Sequence, residues 1–508
     1  MTPSDPTCHV FLPADGVDLP ALDGLPGVRS VADAVVGQRV TVCFDTPRLA
    51  LARSEVGLRH VTGSGSATGW LLDVPSGRSP ELVEVPGGTR PPKRLRVAVT
   101  AWALGEELTA VATVREATTS HALLDGAGVE LAAVTEHRLE ADLPSLGAGP
   151  SGDGASSSGG LTLVWREWSV RLGEADVALL RAVDSALSEV GAQRVRGPRA
   201  ATTLLRDAVG EHPRDGAPRP GRPAARVVAL RLEEQLRELR ERDSEVRRSG
   251  LGGVHGLRVA LRRTRAALGS FGALLAGDAT ASLREELGWA ARALGASRDS
   301  QVVEERLMAV VAAEPASAIV GPVRRRVQSH FGSTRRSARA DVAAVLDSSR
   351  YLALVAAFDG LVAAPPWTEV AQRPAREVLP SLVLRDWKRL HRRVEAAERA
   401  SGPEADELLH EARKAAKRLR YAAETVEPVS GGAARRLARR AAKLQSVLGE
   451  HQDAVVARQR LQGLVREAGA AGEPTFSYGR LDRALEDQAT AGRSALARTA
   501  RKIARPKL

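Results

Sequence analysis

His255 opens the stretch HGLRVALRRTRAAL, and His410 opens HEARKAAKRLRYAA, 155 positions later. Aligned, Arg258 falls on Arg413, Arg262 on Lys417, Arg263 on Arg418 and Arg265 on Arg420. Farther along, Leu294–Leu307 (LGASRDSQVVEERL) matches Leu448–Leu461 (LGEHQDAVVARQRL) at an offset of 154. Two segments repeated in order, at nearly the same separation, mark a tandem duplication of a helical unit. Two such units commonly pack about a pseudo-twofold axis. That symmetry would bring the two His helices together.

Outward from the repeats, residues 225–508 are rich in Ala, Leu, Arg and Glu, with apolar residues recurring at three and four, which predicts an all-α domain. Upstream, short apolar runs are separated by turn residues. Strands are predicted at Arg39–Phe44, Gly69–Val74, Leu95–Ala101, Thr109–Arg115 and Leu161–Leu172, with helices near 174–190 and 199–209. The Gly/Ser segment at 146–160 reads as a loop within this β domain. Residues 210–224 (GEHPRDGAPRPGRPA) contain breakers that continue neither helix nor strand, and they read as the linker. The expected organisation is an α+β multidomain chain: a β domain over 5–209, a Pro/Gly linker over 210–224 and a helical domain over 225–508.

Charge divides along the same line. The 508 residues carry a net +12, but residues 1–224 hold 22 basic and 27 acidic side chains, whereas 225–508 hold 51 and 34. A surplus of that size draws phosphate-bearing partners to the second half. Aromatics are only 3% of the chain, which disfavours base stacking, so the expected target is phosphate and not base. Two cysteines, Cys8 and Cys43, build neither a disulfide framework nor a Cys-rich zinc site. No uncharged apolar run is long enough for a membrane span, and the start lacks a secretory pattern, so the cytoplasm is expected.

On a helix, positions i, i+3, i+7 and i+10 share a face. His255, Arg258, Arg262 and Arg265 therefore form one basic stripe, and His410, Arg413, Lys417 and Arg420 form its copy. No acid lies within either stripe. A single stripe reads more readily as a solvated face laced by salt bridges; its repetition at matched places favours an anion site. Arg324–Arg326, Arg335–Arg339 and Arg385–Arg393 could extend the surface, although each alone reads as a solvated face. Asp299 and Asp453, one per repeat, read as helix caps or as partners of a binding arginine, not as an acid–base pair.

The two His segments, each followed by an LGxxxD element (Leu294, Gly295, Asp299; Leu448, Gly449, Asp453), resemble the CHAD domain, a conserved-histidine α-helical domain. The resemblance implies two four-helix bundles about a pseudo-twofold axis and a basic central surface that binds inorganic polyphosphate. It assigns binding roles to His255, Arg258, Arg262, Arg265 and Arg298 in the first repeat, and to His410, Arg413, Lys414, Lys417 and Arg420 in the second; at the position of Arg298 the second repeat has Gln452. A linear polyanion suits this pattern, because Arg forks grip two phosphate oxygens at once and neutralised phosphates release counterions. Binding of nucleic-acid backbone or an acidic protein is the alternative within the binding class.

In the first half, Cys43-Phe44-Asp45-Thr46-Pro47, Leu49, Leu51 and Val56-Gly57-Leu58-Arg59, with Trp165-Arg166-Glu167 later, resemble the CYTH family of triphosphate tunnel metalloenzymes. That resemblance implies an eight-stranded antiparallel β-barrel whose lumen holds triphosphate on Lys and Arg and a divalent metal on Glu. The sequence departs from the family at the site. Pro6, Cys8 and Val10 stand in place of the opening acids and lysine, Asp73 and Val61 replace expected cations, and Ser169 and Arg171 replace late carboxylates. With Arg59, Arg115 and Glu167 remaining, the expectation is a degenerate, non-catalytic domain with no metal or cofactor, whose residual phosphate contacts are Arg59 and Arg115. A metal-dependent triphosphatase is the rival reading from the enzyme class.

Overall fold

In this computed structural model the chain forms two compact units, Met1–Arg214 and Asp215–Leu508. The structure describes residues 8–64, 68–75, 81–85, 88–143, 161–173, 177–195, 205, 221–277 and 280–503, with the backbone alone at 81–85, 296–299, 333–336 and 497. The Gly/Ser segment at 146–160, most of the helix predicted at 199–209 and most of the linker at 210–224 lie outside the described residues.

The first unit is built on long antiparallel strands. β7 (Thr109–Leu124) and β8 (Glu130–Leu143) make a hairpin. Its turn is tied by Asp125 Oδ1, which accepts from Ala127 N at 2.8 Å and Val129 N at 2.9 Å. Around this pair stand β1 (Cys8–Leu12), β3 (Val35–Asp45), β4 (Gly57–Gly63), β5 (Gly69–Val74), β6 (Glu81–Val85), β9 (Leu161–Leu172) and β10 (Gln193–Val195). Their order is β10-β1-β9-β8-β7-β3-β4-β5-β6, and the short β2 (Ser30–Val31) adds to β7. The closed barrel expected from the sequence is not formed among the described residues. The path ends at two short edge strands, β10 and β6, which pair only with β1 and β5.

The run Leu95–Ala101 is a correction. It lies in two short helices, α1 (Lys93–Ala98) and α2 (Thr100–Ala103), not in a strand. Leu95, Ala98, Val99, Ala101 and Trp102 are all buried, at spacings a helix presents to one core, and Leu104 then ends the turn with φ +52°. A further helix, α3 (Val177–Glu189), buries Leu180, Val183 and Leu187 against Phe11, Trp168 and Val170 of the sheet. The Asp-Thr-Pro turn after β3 has a structural cause: Asp45, 2% exposed, accepts from the backbone N–H groups of Thr46, Leu51 and Ala52 at 2.6, 2.9 and 2.8 Å.

The second unit is helical: α4 (Ala224–Ser249), α5 (Val254–Phe271), α6 (Ala281–Ala293), α7 (Ala296–Ala313), α8 (Val323–Leu346), α9 (Ser349–Ala363), α10 (Ala375–Arg399), α11 (Gly402–Thr425), α12 (Glu427–Ala470) and α13 (Phe476–Arg501). α12 is broken near its start at Gly431, where φ is +54° and ψ −134°. α4 packs on α5 and α10 on α11. The starts of α4 and α10 are joined by backbone: Ala224 N donates to Arg373 O at 2.9 Å and Ala375 N to Arg222 O at 2.8 Å, each beside a proline, Pro223 or Pro374. At the far end, Val303, Leu307, Val327, Phe331, Leu461 and Tyr478 share a core between α7, α8, α12 and α13. Among the described residues no helix is long and apolar enough to cross a membrane.

Candidate functional site

α5 and α11 are amphipathic in the same sense. α5 buries Leu257, Ala260, Leu261 and Leu268; α11 buries Leu409, Ala412, Ala416 and Leu419. The two helices pack against one another. Their basic residues therefore meet where the apolar stripes end, and Lys417 records the encounter. Burial pushes its ammonium from 10.5 down to about 7, and Arg413, Arg262 and Arg258 add repulsion against the pull of Asp453. Two residues from each repeat thus crowd one place: Arg258 and Arg262 from α5, Arg413 and Lys417 from α11.

Glycines make room for two of these side chains. Arg258, 8% exposed, lies along Gly295, where a Cβ would stand 2.8 Å from its Nη2. Arg413 lies along Gly449, where a Cβ would stand 3.3 Å from its Nη2. The φ of Gly295 is −84°, so what the position requires is space and not a left-handed backbone. The LG pair of each repeat therefore seats that repeat's first arginine, a role that sequence spacing alone did not reveal. Asp453 lies 3.5 Å from Arg413 Nη1, the geometry of a carboxylate partner.

The histidines are not equivalent. His255 is the second residue of α5 and is exposed, whereas His410 lies eight residues into α11 and is half-buried. Burial, then Lys414 and Arg413, hold His410 below its ordinary 6.5, while Glu411 and a hydrogen bond with Gln452 oppose them. The remaining predicted residues are outside the crowded group. Arg265 is exposed and lies over Gly288 of α6. Lys414, also exposed, pairs with Glu411, and Arg420 pairs with Glu424 at 2.7 Å beside the Tyr421 ring. The expected acid-free stripe is thus corrected along α11, because Glu411, Glu424 and Asp453 enter from neighbouring positions and from α12. Arg298 lies in the first turn of α7, and its side chain lies outside the described residues.

In the sheet unit, strand register decides which residues share a face. Cys43 pairs with Arg59, Arg39 with Glu116 and Val40 with Arg115. Paired residues point the same way and neighbours alternate, so Arg59 and Arg115 lie on opposite faces and form no joint phosphate site. Arg115 is held on the exposed side by Asp142 at 2.5 Å; Arg59 faces Asp73 at 3.9 Å. On the Arg59 face a hydrogen-bonded chain crosses four strands, β9, β8, β7 and β3. The Ser169 hydroxyl lies 2.8 Å from His137 Nε2, His137 Nδ1 lies 2.6 Å from Glu116 Oε1, and Arg39 Nε donates to Glu116 Oε2 at 2.7 Å. Burial would raise the Glu116 carboxyl, but His137 and Arg39 outweigh it and hold the group below its ordinary value. Glu167, 3% exposed, accepts from Trp165 Nε1 at 2.8 Å. Among the described residues no three His, Cys, Asp or Glu side chains gather to hold a metal ion. The acids of this face are bound to protein cations and donors and do not fit a divalent-metal centre.

A family profile described as the CHAD domain matches residues 230–462. Two uncharacterized proteins of Mycobacterium tuberculosis, from different strains, are each 31% identical over 497 residues, which is 95% of this chain and 93% of theirs. Among solved structures, PptA from Streptomyces chartreusis aligns over 55% of this chain and 99% of its own at 22% identity, TM-score 0.46. The CHAD domain of the plant Ricinus communis aligns over 58% and 96% at 24% identity, TM-score 0.45. Through its helical unit, the chain belongs to the CHAD domain family.

Proposed function

We propose that the helical unit binds inorganic polyphosphate where α5 crosses α11, with Arg258, Arg262, Arg413 and Lys417 as the core of the site and His410 beside them. One observation carries the reading: the packing of the two helices places half-buried Lys417 among Arg413, Arg262 and Arg258, with Asp453 opposing them and its ammonium pushed down to about 7. Such crowding of like charge costs folding energy and is relieved when an anion enters. A linear polyanion also suits contacts contributed by two repeats, since successive phosphates can bridge them. The four-helix repeats and their pseudo-twofold axis are part of this proposal, supported by the reciprocal backbone link between the starts of α4 and α10. Titration of the full chain with long-chain polyphosphate at rising salt tests it. Affinity that falls steeply with salt, and falls further when Arg262 and Lys417 are both replaced by glutamate, is the expected result.

We infer further that the N-terminal sheet is a tunnel-type CYTH unit without a metal centre, and that it does not hydrolyse triphosphate. The hydrogen-bonded chain from Arg39 to Ser169 supports this, because it engages Glu116 on the face that would have to offer metal ligands. Sustained release of phosphate from tripolyphosphate with Mg²⁺ or Mn²⁺, abolished by Glu167→Gln, would establish the enzyme reading instead.

A further inference from the structure

At the carboxyl end of α5 a second basic concavity opens between α5, α6, α10 and α11. Its volume is about 310 Å³, and four arginines line it: Arg284 of α6, Arg385 and Arg389 of α10, and Arg418 of α11. Thr280, the residue before α6, lines it as well. The positive end of a 13-residue helix thus adds to the arginines.

The arginines are fixed from behind. Arg418 Nε lies 2.8 Å from Oδ1 of Asp386, which is 1% exposed, and its Nη2 donates to Gly269 O. Arg385 Nη2 donates to Ser270 O at 2.8 Å. Among the described residues, ion pairs reach Arg418 alone of the four, so one carboxylate stands against four guanidinium groups. Burial, and then Arg389 and Arg284, hold Arg418 below its ordinary value despite Asp386. The matching position of the first repeat has two carboxylates near it instead of one. Arg263 faces Glu238 at 3.6 Å and Glu424 at 3.9 Å and lies over the Tyr421 ring, so its charge is met from within.

We propose that this concavity is a second anion site, separate from the α5–α11 crossing, that takes a compact phosphate group such as pyrophosphate or the terminal phosphates of a chain. Two arginines held in place by backbone and carboxylate contacts form part of its wall, and Arg284 and Arg389 add two further guanidinium groups to the lining. The site stands whether or not the crossing binds polyphosphate.

The probe is inorganic pyrophosphate, titrated calorimetrically into the full chain at low salt. Arg284→Gln combined with Arg389→Gln should weaken its binding by tenfold or more, because each removes a charged donor. Arg460→Gln combined with Arg466→Gln, at exposed positions of α12 outside both sites, should leave it within about twofold. Arg389→Gln alone, an exposed position, should give an intermediate loss without moving the melting temperature, which keeps the test valid if the double variant folds poorly. Prior saturation with long-chain polyphosphate distinguishes the source. Loss of pyrophosphate binding assigns the site to a chain segment or end, and retained binding assigns it to a free small anion. Pyrophosphate binding that is absent in the parent, indifferent to Arg284 and Arg389, or lost equally in the Arg460/Arg466 variant overturns the proposal. Failure of the polyphosphate reading would appear separately, as long-chain binding indifferent to Arg262 and Lys417.

Discussion

Lys417 makes the crossing a proton-linked site, and the linkage can be measured. Unliganded, the side chain titrates at about 7, pushed down from 10.5 by burial and three arginines. An anion seated among those groups removes the repulsion and restores the charged form, so binding draws a proton from solution wherever the free protein has lost it. At pH 8 the unliganded amine is only ~10% charged, and binding should take up ~0.9 proton. The sign follows: a depressed lysine favours the anion at low pH, and affinity falls as pH rises through the unliganded value. Between pH 6 and 9 the loss should be roughly 100-fold if the bound pKa stays above that range. Calorimetry in two buffers of different ionisation enthalpy, with polyphosphate as titrant, gives the proton number directly. Lys417→Arg keeps the charge at every pH and should reduce the uptake to whatever His410 contributes. Proton uptake near zero in the parent, or uptake unchanged in Lys417→Arg, refutes the reasoning.

Other consequences are simpler to state. Arg262→Glu with Lys417→Glu should weaken polyphosphate binding far more than Arg498→Glu with Arg501→Glu; equal losses in a filter or calorimetric assay would make net charge the cause. Because the free crossing is strained by like charge, Lys417→Met should raise the melting temperature near pH 6 by a few degrees while binding weakens, and a lowered melting temperature would count against that strain. Gly449→Ala should displace Arg413 and reduce affinity several-fold with little change in helix content by circular dichroism. In the sheet unit, Glu116→Gln should cost about 1–3 kcal/mol at neutral pH. The folded Glu116 value is lowered, so its contribution is present above the ordinary carboxylate range and fades as pH falls through the folded value; a variant that melts like the parent at pH 7 would deny the buried pairing.

The helical architecture was legible because a 3.6-residue pattern survives in each repeat, and duplication identified the two helices that the fold brings into contact. What sequence spacing could not give was the neutralisation of the rails. Glu424 is four positions beyond Arg420, a spacing that reads as an ordinary helix pair, but whether Asp453 reaches Arg413 depends on how α12 lies on α11. Arg418 shows the same limit: its alignment with Arg263 is plain in the sequence, yet Arg263 has two glutamates near it while Arg418 has one aspartate and lies among other arginines. In the sheet unit, Gly69–Val74 and Leu161–Leu172 were read to the residue, since alternation and flanking turns agree. Leu95–Ala101 misled because an apolar run of that length fits either a strand or a buried helix, and only the spacing of its buried positions decides. Register separated Arg59 from Arg115, and one chain's composition carries no register.

The backbone clasp at Pro223 and Pro374 bears on how such a surface can diversify. It joins the starts of α4 and α10 through backbone N–H and carbonyl groups, which every residue type except proline carries, so the bonds themselves do not depend on which side chains stand at those positions. A frame fixed that way tolerates substitution on its faces one copy at a time. Arg263, paired with Glu238 and Glu424, and Arg418, paired with Asp386 among arginines, show how far the surroundings of two matched positions can part on such a frame.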